Sequence, residues 1–416
     1  MNNTINYSRT HFFLCFFVCA IPPALVIGAA ILEFFIFLSC FFFFFLNYKK
    51  IGLDYYKKRI FLYFIFFFIF LVISSITSDY VANSIRNSIF YFRFGILILI
   101  VWYLLDSYKK FKFLFFCSLF LTLFVVNFYS FLQLFVLHNY TTVDRISGFF
   151  GAEEVQGSFL LRITPIFLLF FFYNKKNINL FFYYFFFLIL MSNLILILLS
   201  GERAAIFLMC IGIFFGFIFL KFHLRFFFAI SLLIFTIFFL TVVSFPKTKE
   251  RIFKVTYNQV FLNDDGTKKI NLFSKGHEGH FTSAMLMFKK NYFKGVGIRN
   301  FRMECQKDIY KEVAGTFHCS THPHNTYMQF LSETGLMGTL FLISFLLFIF
   351  IKSCKFLKGI YIKGAKKNAP MGICLVTILI NFFPFVTTGS FFNNWLSTLY
   401  LLPVGFLLHE INYKSN

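Results

Sequence analysis

Charged residues are scarce in this sequence, and acidic residues are the scarcest. Asp, Glu, Lys and Arg make up 13% of the 416 residues, whereas hydrophobic residues make up 59%. A soluble domain of that composition would lack the polar surface needed to cover its apolar side chains. An apolar run of about 18 residues or more is typical of a membrane span. The composition therefore excludes an ordinary soluble protein and predicts an all-α integral membrane protein.

Apolar runs of spanning length occur about a dozen times along the chain. They cover residues 11–28, 29–46, 60–77, 89–105, 113–137, 157–173, 180–199, 204–220, 226–244, 326–351, 370–388 and 391–408. We therefore expect membrane helices 1–9 in residues 1–244, a loop domain in residues 245–325, and helices 10–12 with the C-terminal tail in residues 326–416. Apolar residues at helical spacing predict short loop helices at 250–262, 279–290 and 300–313, and Asp264-Asp265-Gly266 predicts a turn.

The first apolar run lacks the small-residue cleavage site of a secretory signal peptide. It begins after Arg9, meets Pro22-Pro23 and continues to Phe45. We therefore expect this region to remain in the protein as two membrane spans.

The shortage of acidic residues leaves a formal net charge of +22. Nucleic-acid binding is not indicated, because no soluble segment carries a basic patch interleaved with aromatic residues. The basic residues instead cluster at every second junction between spans, at Lys49, Lys50, Lys57, Lys58, Arg59, Lys109, Lys110, Lys112, Lys175, Lys176, Lys221, Arg225, Lys352, Lys355, Lys358, Lys363, Lys366 and Lys367. By the positive-inside rule these junctions face the cytoplasm. We therefore expect both termini inside and the 245–325 loop outside.

Only two of the nine cysteines, Cys305 and Cys319, lie in the outer loop. In an oxidising compartment they could form a disulfide, and the alternative is two free thiols. A bridge would hold the segment that leads into His322 and His324. Zinc binding is not favoured, because the spacing of these Cys and His residues matches none of the usual zinc-finger patterns.

The charged residues Glu33, Arg93 and Arg162 lie within apolar runs. Ionisable groups at membrane depth are costly and often functional. For Glu33 we favour snorkelling or an ion pair between helices. Arg162 lies near the outer end of its run and could face an outer cavity.

Two short outer segments, residues 145–158 and 200–203, join the face that carries the large loop. Arg145 and Arg203 stand between spans on that face. The planar guanidinium of arginine binds phosphate oxygens in pairs, so these residues suit a diphosphate. Anchoring to lipid headgroups explains the same pattern equally well.

Residues 321–339 are the most informative stretch. His324 precedes a spanning helix, where unpaired backbone N–H groups favour an anion. A histidine there can take a proton from a hydroxyl near neutral pH. Asn325 is suited to cap the helix, and Gly335 with Gly338 would let a neighbouring helix approach closely. A lone surface histidine usually has no special role, so these residues by themselves leave catalysis open.

Four blocks of this sequence together resemble the O-antigen ligase and polymerase superfamily. In chain order they are residues 145–165, ending in Arg162-Ile163-Thr164-Pro165; Ser200-Gly201-Glu202-Arg203; residues 291–301; and His324-Asn325 followed by Gly335 and Gly338-Thr339. The resemblance spans the whole topology, including one large loop between the ninth and tenth spans.

The sequence departs from the family pattern at one position. Many members have a second arginine about fourteen residues before the third block, followed by a tryptophan four residues later. Here His277 stands at the arginine position and Phe281 at the tryptophan position. His277 or His280 is expected to take the place of that arginine, with Arg299 or Arg302 supplying a permanent charge.

The resemblance implies a glycosyltransferase of the bacterial inner membrane with its active face in the periplasm. Members move a glycan from an undecaprenyl diphosphate carrier to an acceptor sugar hydroxyl, with no cofactor and, since no Asp-x-Asp motif faces outward, no metal. Arg203, assisted by Arg302, is expected to bind the diphosphate, and His324 to activate the acceptor. The residues expected to line the substrates are Arg145, Glu154, His277, His280, Arg299, His322 and Asn325.

The acceptor distinguishes three possibilities within the resemblance. A ligase uses the core sugars of lipid A, a polymerase uses another carrier-linked repeat unit, and an oligosaccharyltransferase uses protein, which nothing here favours. We favour a ligase, with a polymerase as the alternative. A lipid-linked sugar transporter is the alternative from another class. It is less favoured because the polar residues gather at one face and the two halves of the sequence do not repeat.

Overall fold

The computed structural model describes residues 2–48, 53–137, 145–174, 179–262, 273–362 and 368–413 of the protein. Every element in these ranges is helical. The α-helices are α1 Asn2–Cys19, α2 Ile21–Ile27, α3 Ala29–Tyr48, α4 Leu53–Tyr56, α5 Arg59–Ile76, α6 Val81–Ile89, α7 Phe92–Ser107, α8 Phe111–Leu132, α9 Gln156–Asn174, α10 Leu180–Leu199, α11 Arg203–Leu220, α12 Leu224–Ser244, α13 Pro246–Glu250, α14 Thr256–Phe261, α15 Lys275–Lys290, α16 Phe301–Glu304, α17 Asp308–Ala314, α18 Thr326–Tyr361, α19 Ala369–Asn381 and α20 Asn394–Tyr413.

Ten helical stretches of the described chain are long and apolar enough to cross a membrane. Helix α19 is apolar but has only 13 residues. Helix α20 has 20 residues, and its Leu399, Tyr400 and Phe406 side chains are fully buried within the bundle. Polar residues of spanning helices are tolerated where they face the interior of the bundle, and Ser397, Thr398 and His409 of α20 are buried there. The protein is a multi-pass membrane protein, and the predicted all-α membrane fold is confirmed.

The segments between successive spans lie alternately at the two ends of the bundle. At one end, Arg145 donates to the Ser200 carbonyl and Trp395 donates to the Leu25 carbonyl. At the other, the Asn174 side chain donates to the Lys112 carbonyl. Residues 245–262 and 273–325 share the first end with residues 145–156 and 382–393, and we call it the loop end.

The loop end is opposite most of the basic clusters. Lys221, for example, donates to the Ile360 carbonyl at the far end. Seven of the lysines used in the topology argument lie outside the described residues, and they are Lys49, Lys50, Lys175, Lys176, Lys363, Lys366 and Lys367. The assignment of the loop end to the periplasm remains a prediction.

A partly buried ion pair joins two of the charges within apolar runs, Arg93 and Glu33. An Nη atom of Arg93 lies 2.8 Å from a carboxylate oxygen of Glu33. Pairing reduces the cost of placing either charge at membrane depth. Of the two interpretations favoured for Glu33, snorkelling or an ion pair between helices, the structure shows the ion pair.

The outer loop contains short helices, with boundaries that differ from those predicted. The first predicted helix is continuous with an earlier start, from Pro246 through a π-turn to Phe261. The third is divided into α16 and α17, because Phe301 and Tyr310 must both turn inward to pack against α15. The Tyr310 hydroxyl joins the two pieces by donating to the Glu304 carboxylate, 2.8 Å away. The predicted Asp264-Asp265-Gly266 turn lies outside the described residues.

Two of the family-like blocks interlock through their backbones at Gly335. Helix α18 kinks there, with φ 62° and ψ −161°, a conformation that favours glycine. The Val296 amide donates to the Ser332 carbonyl across the kink, at 2.9 Å. A Cβ at Gly335 would lie 2.6 Å from the Gly295 nitrogen. Residues 291–300 are thereby locked against the beginning of α18.

The glycine argument from the sequence is right for Gly338 and wrong for Gly335. A Cβ on Gly338 would lie 3.2 Å from the Phe70 ring of the neighbouring span α5. At Gly335 the approaching backbone belongs to the outer loop, not to a spanning helix. Periodicity could not reveal this contact, because the loop residues that make it are some forty positions upstream of the kink.

Candidate active site

Four histidines meet at the loop end and form what we call the histidine cluster. His277 and His280 lie one turn apart on α15, and His322 and His324 lie just before α18. The ring centre of His324 is 5.5 Å from that of His277, 5.3 Å from that of His280 and 4.1 Å from that of His322. Helix α15 comes close because Gly279 faces the Phe317 carbonyl, where a Cβ would lie only 2.6 Å from the oxygen.

The segment that carries His324 is fixed at both ends. Before it, a disulfide joins Cys305 to Cys319, with Cα atoms 5.0 Å apart. After it, Asn325 caps α18 by accepting from the amides of Tyr327 and Met328, which confirms its predicted capping role. The Asn325 amide also donates to carbonyls of residues 384 and 386, so its polar atoms are occupied by protein.

The backbone of His324 has a φ of 55°, in the left-handed region. Non-glycine residues are uncommon there, although histidine and asparagine tolerate it better than most. The conformation is held by the Thr388 amide, which donates to the His324 carbonyl at 2.8 Å. Such local strain is often found at functional sites. The 382–393 loop therefore fixes the direction of the His324 side chain.

The two histidines nearest to each other differ in their hydrogen bonds. The His322 ring donates from Nε2 to the Thr388 carbonyl at 3.2 Å, and its Nδ1 lies 2.9 Å from the Thr321 hydroxyl. His324 has one ring contact, between Nε2 and the Ser320 hydroxyl at 3.1 Å. His322 thus has both ring nitrogens engaged, whereas Nδ1 of His324 makes no hydrogen bond to any described residue.

The histidine cluster holds neutral imidazoles. Burial lowers the pKa of His324 to about 3 and that of His322 to about 4, and the charge of Arg302 lowers the pKa of His322 further. Burial also lowers the pKa of His277 and His280. In the free protein these rings are therefore unprotonated at neutral pH and can accept protons or hydrogen bonds.

Three arginines form a second group at the loop end, which we call the arginine cluster: Arg145, Arg203 and Arg251. Arg145 is 9% exposed and is held by Glu154 at 2.5 Å and by the Ser200 carbonyl. Arg251 donates from Nε to the Gly201 carbonyl at 3.1 Å. Burial lowers the pKa of Arg251, and the charges of Arg145 and Arg203 lower it further, so the three groups are close together.

The position of Arg203 is set by its neighbour Glu202. The Glu202 carboxylate accepts from the amides of Gly157 and Ser158, at 2.6 and 3.1 Å, and so caps α9 rather than pairing with Arg203. Burial raises the pKa of Glu202. Arg203 begins α11, is partly exposed and has no carboxylate partner among the described residues. It is close enough to His277 to lower the pKa of that ring, so the two clusters adjoin.

Arg299 and Arg302 face different surroundings, although only two residues separate them. Arg302 is near the histidine cluster, where its charge lowers the pKa of His322, and its buried Nε has no partner among the described residues. Arg299 donates to the Asn87 side chain at 2.9 Å and lines a separate cavity. The structure thus brings Arg302, but not Arg299, to the His324 site.

Residues 185–343 match the family model described as O-antigen ligase. This part of the chain, less than half of its length, is thus similar to the O-antigen ligase domain. The match includes Arg203 and Arg251, the 291–301 block and the histidine cluster, whereas Arg145 lies outside it. It indicates a membrane glycosyltransferase of the O-antigen ligase or polymerase type, a class that acts on lipid-linked glycans. No curated protein matches the chain.

Sequence reasoning missed several residues of the candidate site. Arg251 was not singled out, because it stands among apolar residues at helical spacing and looks like an ordinary surface position. Thr388 and Ser320 orient His322 and His324 only through the folded chain. A signal for Arg251 did exist, since it is one of few arginines in the predicted outer loop. Among the described residues, no group of His, Cys, Asp or Glu has an arrangement that could hold a metal ion.

Proposed function

We propose that this protein is an O-antigen ligase. It would transfer a glycan from undecaprenyl diphosphate to a sugar hydroxyl of the lipid A core, on the periplasmic face of the bacterial inner membrane. The observation that carries the proposal is the position of His324. Its Nδ1 makes no hydrogen bond to any described residue, and its ring lies against His277, which is close to Arg203. Polymerisation of carrier-linked repeat units is the alternative.

The donor diphosphate would bind to Arg203 and Arg251. Both guanidinium groups lie at the beginning of spanning helix α11, where the helix dipole also favours an anion. Arg145 would hold the short segments together through Ser200 and Glu154, and Arg302 would add charge on the other side of the histidines. Fixed cations stabilise the charge that grows on the leaving diphosphate, which is often the largest catalytic contribution.

The acceptor hydroxyl would bind to Nδ1 of His324. We assign the ring proton to Nε2, which donates to the Ser320 hydroxyl, so Nδ1 can accept. The acceptor oxygen attacks the anomeric carbon and forms the new glycosidic bond, while the bond from that carbon to the diphosphate oxygen breaks. The bonding electrons leave with the diphosphate, and the hydroxyl proton passes to His324. His277 and His280 would stand where the family arginine is absent.

Replacement of Arg203 by Ala tests the donor site. We expect transfer to fall about a hundredfold, because a preorganised cation facing the developing charge is lost. The measurement is the amount of long-chain glycan on lipid A, read from gel ladders, for variants inserted at equal levels. Arg225→Ala is the matched control, since Arg225 is exposed in the first turn of the next span, at the opposite end.

The ladders also separate the two enzymatic alternatives. Loss of all chains from lipid A, with polymer retained on the carrier, supports a ligase. Chains cut to a single repeat unit support a polymerase. A normal ladder from a well-expressed Arg203→Ala variant would contradict the proposed donor site.

The pH dependence of transfer tests the state of His324. Its pKa of about 3 in the free protein keeps the ring neutral well into the acid range. We expect kcat/KM at pH 5 to remain within about twofold of its value at pH 7, because kcat/KM reports the free enzyme. A histidine with the ordinary pKa of about 6.5 would lose about twenty-fivefold over this range, and such a loss would show that the ring titrates normally.

Protein stability has to be controlled in the same experiment. The buried histidines have folded pKa values below the unfolded value, so the unfolded chain binds more protons between the two. Stability therefore falls as the pH drops below about 6.5. Gel filtration at each pH separates this loss of folded protein from an effect on the reaction.

A further inference from the structure

The cavity that Arg299 lines has a volume of about 690 Å³ and opens at the loop end. We call it the second cavity, to distinguish it from the site at the histidine cluster. Its lining comes from the beginnings of α3, α7 and α20, from α6, and from Arg299 in the 291–301 block. This volume lies within the usual range for small-molecule sites, about 300–1,000 Å³. The cavity is distinct from the histidine cluster, because none of its lining residues belongs to that cluster.

The lining of the second cavity carries more positive than negative charge. Arg86, Arg93 and Arg299 line it, and Glu33 is the one acidic side chain that does so. Glu33 pairs with Arg93 at 2.8 Å, which leaves two guanidinium charges without a carboxylate among the lining residues. Guanidinium groups bind the oxygens of phosphate groups in pairs, so such a lining suits a phosphate.

Neutral amides hold two of these arginines in position. Arg93 donates to Asn394 at 2.7 Å, and Arg299 donates to Asn87 at 2.9 Å. Arg299 also has a left-handed backbone, with φ 59°, which the Asn83 side chain stabilises by donating to the Arg299 carbonyl. An amide fixes a guanidinium without cancelling its charge, so the cavity is preorganised for an anion.

The outer rim of the cavity is apolar and faces the lipid region. Phe34 and Phe37, one turn apart on α3, are 56% and 65% exposed, and Phe90 is 56% exposed. These rings extend from the arginines along α3 toward the middle of the span. A ligand with an anionic head and a hydrocarbon tail fits both surfaces.

A single turn of chain connects this cavity to the histidine cluster. Arg299 lines the cavity, whereas Arg302 acts on His322. Asn300, between them, is fully buried and bonded to Ser78 and Asn83. A lipid bound on the Arg299 side would therefore have its sugars next to the wall of the active site. An ordinary phospholipid carries no sugars to place beside the active site, so this arrangement favours a glycolipid.

We propose that the second cavity binds the phosphate of the glycolipid acceptor, with the hydrocarbon tail along Phe34 and Phe37. The inference rests on the proposed glycosyl transfer and adds the acceptor site to it. The phosphates of lipid A and the diphosphate of a carrier-linked repeat unit share the required chemistry. The acceptor and the donor would then approach the histidine cluster from different sides.

Binding to the purified full-length protein tests the acceptor site directly. The probes are lipid A with its phosphates, the same lipid after dephosphorylation, and phosphatidylglycerol, each titrated in detergent. Arg86→Glu is the test variant, because Arg86 is exposed and no described residue is hydrogen-bonded to its guanidinium. We expect Arg86→Glu to weaken binding of phosphorylated lipid A about tenfold, whereas Arg225→Glu, at the opposite end, leaves it unchanged.

The remaining arms identify the source of the phosphate. Dephosphorylated lipid A should bind weakly to both proteins. Binding of a carrier-linked diphosphate glycan is measured in an Arg203→Ala background, which weakens the donor site. If Arg86→Glu weakens this binding tenfold and leaves that of lipid A unchanged, the carrier-linked glycan is the acceptor. Equal binding of every probe to Arg86→Glu and to the unmodified protein overturns the inference, as does equal affinity for phosphatidylglycerol and phosphorylated lipid A.

Kinetics keep this inference separate from the proposed reaction. Arg86→Glu should raise the KM for acceptor about tenfold and leave the KM for donor unchanged. If a His324→Asn variant retains full transfer, the proposed reaction fails while the binding result still stands. If transfer depends on His324 but Arg86→Glu leaves the KM for acceptor unchanged, only the proposed acceptor site is wrong.

Discussion

Replacement of His324 by Asn is expected to lower glycan transfer by about a thousandfold, because a positioned base contributes about 10²–10⁴ to such a step. Asparagine tolerates the left-handed backbone that His324 adopts, with φ 55°. It can form a hydrogen bond to the acceptor but cannot take its proton. The fold should therefore survive while the reaction is lost. The measurement is the rate of transfer by the purified protein with carrier-linked glycan and lipid A core.

Three further variants make the His324 result specific. His223→Asn is the matched control, since His223 is exposed at the opposite end and its side chain makes no capping hydrogen bond. His322→Asn removes a ring whose two nitrogens are both engaged by the protein, so it should change positioning more than chemistry and lose only about tenfold. His324→Ala should fall at least as far as His324→Asn. Transfer by His324→Asn within tenfold of the unmodified rate would remove His324 from the role of base.

Much of the architecture could be predicted because membrane spans are a local property. Each needs only a long apolar run, and the loop after residue 244 breaks that pattern. The position of His324 at the start of a spanning helix could also be predicted, because Asn325 marks the beginning of α18 and such a helix end attracts anions. The family-like blocks then singled out Arg203. Each of these predictions rests on residues that are close together in the sequence, so none of them requires knowledge of the fold.

The remaining features depend on contacts between distant residues. Thr388 bonds to both His322 and His324 from a loop more than sixty residues later. Arg251 reaches Gly201 across fifty residues. Arg145 looked like a sugar ligand from its sequence position, but its guanidinium is held by Glu154 and the Ser200 carbonyl. Nothing in a linear pattern distinguishes an arginine that binds a ligand from one that supports a loop.

The Gly335 contact is the strongest test of how the loop is joined to the membrane helices. Replacement by Ala is expected to destabilise the protein by about 3–5 kcal/mol, which combines the cost of a glycine-only backbone conformation with that of overpacking. The new Cβ would lie 2.6 Å from backbone atoms of Phe293 and Gly295, which cannot rotate away as a side chain could. The readout is thermal unfolding of the full chain in detergent, followed by size-exclusion chromatography.

Gly216→Ala is the matched control, because a Cβ there would meet nothing within 4 Å. Gly216 lies within α11, so alanine should leave stability unchanged or raise it by up to about 1 kcal/mol through helix propensity. Gly295→Ala should resemble Gly335→Ala, since its Cβ would lie 2.4 Å from the Thr334 nitrogen on the other side of the same contact. If Gly335→Ala unfolds at the same temperature as Gly216→Ala, the loop is not locked to α18 by this contact. Arg299 and Arg302 would then need another support to hold the two sites apart.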